Sequence, residues 1–313
     1  MGTIGYLATR PLTLTNLPVA FTVDKGSSLS GIAQQLQTIG ILNSEIDGPV
    51  FTLVGRVLGL STQIKAGRYQ IKGTPSILEL LQLLNKGQVA EAQISIIEGW
   101  TFNQLRDVLN VHPDIRHDTL GMSNKDILQR LGLTESHAEG LFFPDTYYFT
   151  SGTSDLVVLQ QAQQTMQKYL NVSWMTRAPN LPFKTPYQAL ILASIVEKET
   201  GQAQDRAMIA RVFINRLKVG MKLQTDPTVI YGLGATFDGN LRRRDLLKDT
   251  PYNTYTRYGL PPTPIALPGL AALQAVTQPA ATEALYFVSR GDGSSEFSKS
   301  LRDHNNAVNK YQK

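Results

Sequence analysis

The chain contains no cysteine, which excludes disulfides, thiolate metal sites and a cysteine nucleophile. Histidine is scarce as well. His112, His117, His137 and His304 are the whole set, and no two of them fall at the helical spacing of a zinc pair. Neither a metal nor a cofactor is expected. Long apolar runs are missing. The longest near the start is Ile4 to Ala8, far short of the ~20 residues a membrane-spanning helix needs. The start also lacks the basic segment and apolar stretch of a secretion signal. There is no Gly-x-Ser-x-Gly elbow, no P-loop and no dinucleotide fingerprint. A concentrated charge of one sign is absent too. The net charge is +5 with a pI near 9.3, but the densest basic cluster, Arg242-Arg243-Arg244, is flanked by Asp238, Asp245 and Asp249. A stripe that tracks phosphates is longer and cleaner than this, so nucleic-acid binding ranks last among the readings.

What is present is an ordinary globular composition. The 313 residues are 42% apolar, enough for two domains with real cores. Residues 1–17 show no clear period and are expected to form an extended lead-in. Phe21-Thr22-Val23 reads as a strand. Ser27 or Ser28 then caps a helix whose apolar positions Leu29, Ile32, Ala33 and Leu36 keep helical spacing. A second helix is expected near 45–59, a strand over Lys65–Ile71, and a third helix from Thr74-Pro75-Ser76 to about Asn85. These segments make a compact unit over 18–92. From 93 onward the pattern predicts helices at about 102–110, 154–171, 186–200, 205–219, 243–247, 269–277 and 300–311. Strands are expected at 92–97, 284–289 and 295–298. The fold class is α+β: a small N-terminal domain followed by a larger mixed α/β domain over 93–313.

The segment Ser194-Ile195-Val196-Glu197-Lys198-Glu199-Thr200 concentrates the chemical interest. Its helix is strongly apolar from Ala189 to Val196, and Gly201 stops it. At ~100° per residue the two glutamates point nearly opposite ways, so at most one is expected on the apolar face. Leu192, Ile195 and Val196 share the face of Glu199. Apolar surroundings raise a carboxyl pKa, which is what a general acid needs near neutral pH. The pattern by itself favours the plainer alternative, in which both glutamates are solvated at a helix end and paired with Lys198 or Arg206. Asp226 precedes Pro227, and a residue before proline is pushed out of helical conformation, so 223–230 is expected to be a shaped, irregular stretch. Tyr252-Asn253-Thr254-Tyr255 combines aromatic faces with amide and hydroxyl groups. That suits a sugar, and equally suits a structured loop.

The ordered strings go further than any one motif. Ser194–Thr200, Val212-Phe213-Ile214-Asn215-Arg216-Leu217, Gly220–Gly232, Tyr252–Tyr255, Gly259-Leu260-Pro261-Pro262 and His304-Asn305 resemble, in order, the YceG-like family of endolytic murein transglycosylases. Glu98-Gly99-Trp100 and Glu139–Thr146 match upstream, so the likeness covers about 20–311. The resemblance implies that 18–92 is a LysM-like domain and 93–313 a catalytic transglycosylase domain. It implies that Glu199 is the catalytic acid and base, in agreement with the phasing argument. Gln224, Asp226, Asn253 and Tyr255 would bind substrate. The implied reaction cleaves the bond between N-acetylmuramic acid and N-acetylglucosamine in nascent glycan strands. It leaves 1,6-anhydromuramic ends and so terminates strand elongation. The implied partners are peptidoglycan strands and cell-wall synthases. Family members normally begin with one membrane-spanning helix, absent from this chain. The implied location is the inner membrane, single-pass, with this part in the periplasm. A glycan-binding module without activity is the reading from a different class.

Overall fold

The computed structural model describes residues 2–14, 17–87 and 91–312. It divides into two compact units. The first runs to Gln93 and takes in His112–Arg116 and Tyr148–Ser154. The second holds Ile94–Val111, His117–Tyr147 and everything from Asp155. Among the described residues the strands form only two-stranded sheets, while helices carry most of the packing, as an α+β class requires.

In the first unit, α1 (Thr3–Thr9) precedes β1 (Val19–Val23), α2 (Leu29–Thr38), α3 (Asp47–Val57), β2 (Gly67–Ile71) and α4 (Ile77–Lys86). The strands pair antiparallel, with Phe21 opposite Tyr69, and those two rings stack at 5.6 Å. Ser28 caps α2 through its side chain, as the Ser27-Ser28 signal predicts. Ser76 caps α4 with a full capping box closed by Glu79, which places Pro75 just before the cap rather than in the first turn. The lead-in is not extended. Ala8 and Leu12 join the core formed by Leu36, Phe51, Tyr69 and Leu80, and Arg10 pairs with the buried Asp47 at 2.6 Å. Ile4, Leu7 and Ala8 lie three and four residues apart, a short helical stripe that the polar residues around it obscure.

The second unit is built on α8, and its helices follow in chain order: α5 (Phe102–Val111), α6 (Asn124–Arg130), α7 (Asp155–Met175), α8 (Pro186–Glu199), α9 (Ala203–Lys218), α10 (Asp226–Leu233), α11 (Arg243–Leu247), α12 (Leu270–Thr277) and α13 (Leu301–Tyr311). Thr185 caps α8 and Pro186 occupies its first turn, where a missing N–H costs nothing. Every residue from Ala189 to Val196 is buried. A helix that is apolar all round is a core helix, and α8 packs against α7, α9, α10 and α12. After α12, β3 (Tyr286–Ser289) and β4 (Ser295–Ser298) form an antiparallel hairpin, against which α13 packs.

The irregular stretch expected over 223–230 is instead largely α10, which begins at Asp226. Proline disfavours helix for the residue before it, but in the first turn it breaks no intrahelical bond. The Asp226-Pro227 pair therefore opens a helix rather than preventing one.

Candidate functional site

Glu199 is the last residue of α8 and stands half-buried at the mouth of a cleft of about 620 Å³. Its Oε2 accepts a 2.6 Å hydrogen bond from the hydroxyl of Thr225. Burial pushes its pKa above the ordinary carboxylate value, and the negative charge of Asp226 pushes the same way. The Thr225 bond and the positive charge of Arg216 pull against this. The result is a carboxyl biased towards holding its proton, the state a general acid needs.

Glu197 has a different fate. Its side chain is 6% exposed and lies 3.8 Å from Arg206, and Oε2 accepts from the backbone N–H of Gly269 at 2.9 Å. Gly269 is the N-cap of α12, so this carboxylate serves an unsatisfied helix terminus. Phasing separates the two glutamates correctly. The expectation that at most one of them joins the apolar face does not hold, because packing also covers the side of α8 that carries Glu197, while Lys198 between them is exposed.

The wall facing Glu199 is the Gln224–Asp226 stretch. Gln224 takes φ +50°, a left-handed conformation that is uncommon for a residue with a side chain. Its N–H donates to Thr254 O at 3.1 Å, and its exposed side chain lines the cleft. Thr225 is held from behind, its N–H donating to Thr254 Oγ1 at 3.1 Å. Thr228 Oγ1 donates to Thr225 O at 2.7 Å and lies 2.8 Å from Thr254 Oγ1. The two buried hydroxyls of Thr228 and Thr254 thus fix the residue whose own hydroxyl reaches Glu199. Asp226 is exposed in the cleft and accepts a 2.5 Å bond from the hydroxyl of Tyr255. That bond, after burial, keeps the Tyr255 phenol protonated well above its ordinary range.

Asn253 does not line the cleft. It is fully buried, and its amide nitrogen serves the carbonyls of Asp245, Leu246 and Lys248 at 3.3, 3.0 and 2.7 Å. Its Oδ1 accepts from the N–H groups of Tyr255 and Thr256. With both ends committed, the amide has nothing left for a sugar. Its work is to close the end of α11 and to present Tyr255. Of the residues expected to bind substrate, Gln224, Asp226 and Tyr255 reach the cleft with Glu199, and Asn253 acts behind them.

The sequence reading missed the rest of the lining. Arg216 on α9 is buried and donates through Nε to Leu285 O at 2.7 Å and through Nη1 to Leu223 O at 2.6 Å. Its guanidinium lies 5.5 Å from the ring of Tyr286. On α13, His304 stacks on that same ring at 5.2 Å, and burial lowers its pKa. No charge or period marks these positions. Arg216 and His304 stand only inside strings that carry the family resemblance. Another buried carboxyl, that of Glu139, is not among the residues that line the cleft. It accepts from Phe102 N at 2.9 Å and from the Tyr231 hydroxyl at 3.1 Å, and burial raises its pKa to about 7. Tyr231 belongs to α10, the helix that starts at Asp226.

The YceG-like family model matches residues 21–310. The endolytic murein transglycosylase of Bacillus subtilis is 30% identical over 322 residues, which cover 94% of this chain and 84% of the relative. The protein of the same name from Streptococcus pneumoniae is 28% identical over 324 residues, covering 93% of this chain and 58% of its own greater length. The 2.6 Å crystal structure of a yceG-like protein from Listeria monocytogenes shares the fold, with a TM-score of 0.54. Identity there is 27%, and the match covers 92% of this chain and 98% of that one.

Proposed function

The chain belongs to the YceG-like family, and from that premise we propose that it is a peptidoglycan lytic transglycosylase with Glu199 as its general acid and base. The observation that carries the reading is the state of Glu199. It is a half-buried carboxyl with a raised pKa, gripped by Thr225 at 2.6 Å, in the lining of the cleft.

The reaction needs one such group. The Glu199 proton passes to the oxygen joining N-acetylmuramic acid to N-acetylglucosamine, and the bond from that oxygen to the muramic C1 breaks. The resulting oxocarbenium-like centre is attacked by the C6 hydroxyl oxygen of the same sugar. The hydroxyl proton returns to Glu199, which closes a 1,6-anhydro ring and restores the acid. No water enters, so the carboxylate pair of glycoside hydrolases is not required. Gln224, Asp226 and Tyr255 would hold the sugar ring from the opposite wall.

The cleavage is endolytic on this reading and acts on nascent strands, ending their elongation beside the cell-wall synthases. The 93–313 stretch is the catalytic domain. The 18–92 stretch is a LysM-like glycan-binding domain, a reading supported by its strand–helix–helix–strand order. The inner-membrane, periplasmic setting belongs to the same proposal. Among the described residues no helix is long and apolar enough to cross a membrane.

Asp226 gives a specific reason to test hydrolysis as the alternative, since it is a second carboxylate in the cleft. Purified sacculi digested with the protein and examined by mass spectrometry should yield anhydromuramic ends. Reducing muramic ends would overturn the transglycosylase reading in favour of a hydrolase. Soluble products should vanish with Glu199→Gln, and sacculus binding without any soluble product from the wild type would indicate a glycan-binding module.

A further inference from the structure

Arg216 presents an unusual balance of charge. It is 8% exposed, yet among the described residues no carboxylate lies within ion-pair distance of it. Its hydrogen bonds go to two neutral carbonyls, Leu285 O on the approach to β3 and Leu223 O just before the cleft wall. Its neighbour Asn215 secures the same region through the carbonyls of Thr282 and Ala284, each at 3.0 Å. Carbonyls satisfy the donors of a guanidinium but leave its charge uncompensated. Buried cations of that kind are costly unless an anion shares the site. A bracing role alone would be met by a neutral donor such as Asn215.

The titratable groups that line the cleft with Glu199 come from five elements: Arg216 on α9, Asp226 on α10, Tyr255 on the loop after α11, Tyr286 on β3 and His304 on α13. Only Arg216 is a fixed cation. Asp226 opposes a negative Glu199. Tyr255 is a neutral phenol, Tyr286 presents its ring to Arg216, and His304 is held towards its neutral form by burial and by Arg216 itself.

We infer that Arg216 is the counter-charge for the Glu199 carboxylate that exists between the two proton transfers. Before the reaction Glu199 is a neutral acid, and the guanidinium is the lone charge of the pair. Once the proton has gone to the glycosidic oxygen, the carboxylate appears in the same cleft as a cation already in place, fixed by two backbone carbonyls and needing no reorganisation. When the C6 hydroxyl proton returns, the starting state is restored. Arg216 thus lets one carboxyl serve as acid and then as base. It is a positioning residue that acts through Glu199 and need not touch the sugar. The inference rests on the transglycosylase reading for its chemical meaning, but the pairing can be measured without substrate.

The test follows the titration of the Glu199 side-chain carboxyl by carbon-13 NMR in the whole protein, with Glu199→Gln assigning the signal. Two substitutions remove the charge: Arg216→Gln, and replacement of Arg216 by citrulline. Citrulline keeps the Nε–H and a terminal NH2, so it can retain both carbonyl bonds and protects the test against a folding failure. Both are expected to move the Glu199 midpoint upward by about one pH unit or more, whereas Arg216→Lys, which keeps a charge, moves it less. On sacculi, the citrulline protein should lose turnover rather than binding, and the alkaline edge of its pH profile should follow the NMR shift. A citrulline protein with the wild-type Glu199 midpoint would overturn the inference. A shifted midpoint in the variants, with a wild type that releases no anhydro products, would leave the charge pair standing and refute the transglycosylase reading instead.

Discussion

Thr225 and Glu199 meet through a 2.6 Å hydrogen bond between the start of α10 and the last residue of α8. The bond favours the ionised carboxylate over the neutral acid, so it sets how readily Glu199 releases its proton. Thr225→Val keeps the shape and removes only the donor. A hydrogen bond to a charged group contributes about 1.5–3 kcal/mol, so turnover on sacculi should fall by roughly ten- to a hundredfold. The alkaline edge of the pH profile should move upward, because the carboxyl then keeps its proton to higher pH. An unchanged edge would show that the bond does not tune Glu199.

Glu139 should make the protein's stability depend on pH. Its carboxyl holds a proton up to about pH 7 when folded, against an ordinary value of 4.5. Between those values the folded chain keeps a proton that the unfolded chain has lost, so stability falls as pH rises through this window and levels off above it. The full effect is about 3 kcal/mol. Glu139→Gln removes the group, so its melting temperature should vary less between pH 5 and 8 than that of the wild type. Equal slopes in calorimetry would refute the assignment.

The two glutamates of α8 should separate cleanly. Glu199→Gln should abolish cleavage with a melting temperature close to wild type. Glu197→Ala should instead destabilise by about 1–3 kcal/mol, because it strips the partner from the Gly269 N–H and from Arg206. Urea unfolding with activity measured on the folded fraction distinguishes them. Residual specific activity is expected for Glu197→Ala alone.

Asn253 and Tyr255 should also differ. Asn253→Ala leaves three carbonyls and two N–H groups without their partner. Stability and activity should therefore fall together. Tyr255→Phe removes only the hydroxyl that holds Asp226. It should weaken cleavage while the melting temperature stays within about 2–4 °C of wild type. A large loss of stability in Tyr255→Phe would mean that the hydroxyl belongs to the scaffold.

Much of the fold was legible because it obeys local rules. Ser28 marks a helix start by the chemistry of its side chain, and the β3–β4 hairpin and α13 fall where period and turn residues place them. The short stripe of α1 and the opening of α10 were not legible. The first has too few turns to show a period, and the second turns on which face of a rule applies to Asp226-Pro227. The site divides in the same way. Helical phasing could prefer Glu199 to Glu197, but only the family resemblance raised it above a solvated residue at a helix end. Thr225, Arg216, Tyr286 and His304 could not be picked out, since what brings them together is the packing of α8, α9, α10 and α13. Asn253 shows the converse. Its amide looked suited to a ligand, and only the carbonyls of 245–248 reveal that it is already occupied.

Gly269 carries a last consequence. Its φ of −80° would suit any residue, but a Cβ there would lie 1.8 Å from Oε1 of Glu98. Glu98 is exposed, and the flexible end of its side chain can swing aside, so a small side chain at 269 is tolerated beside the grip of Glu197. In a genetic screen, small substitutions at 269 should therefore pass where alleles at 199 score as nulls, because Glu197 holds the backbone N–H of residue 269 whatever its side chain.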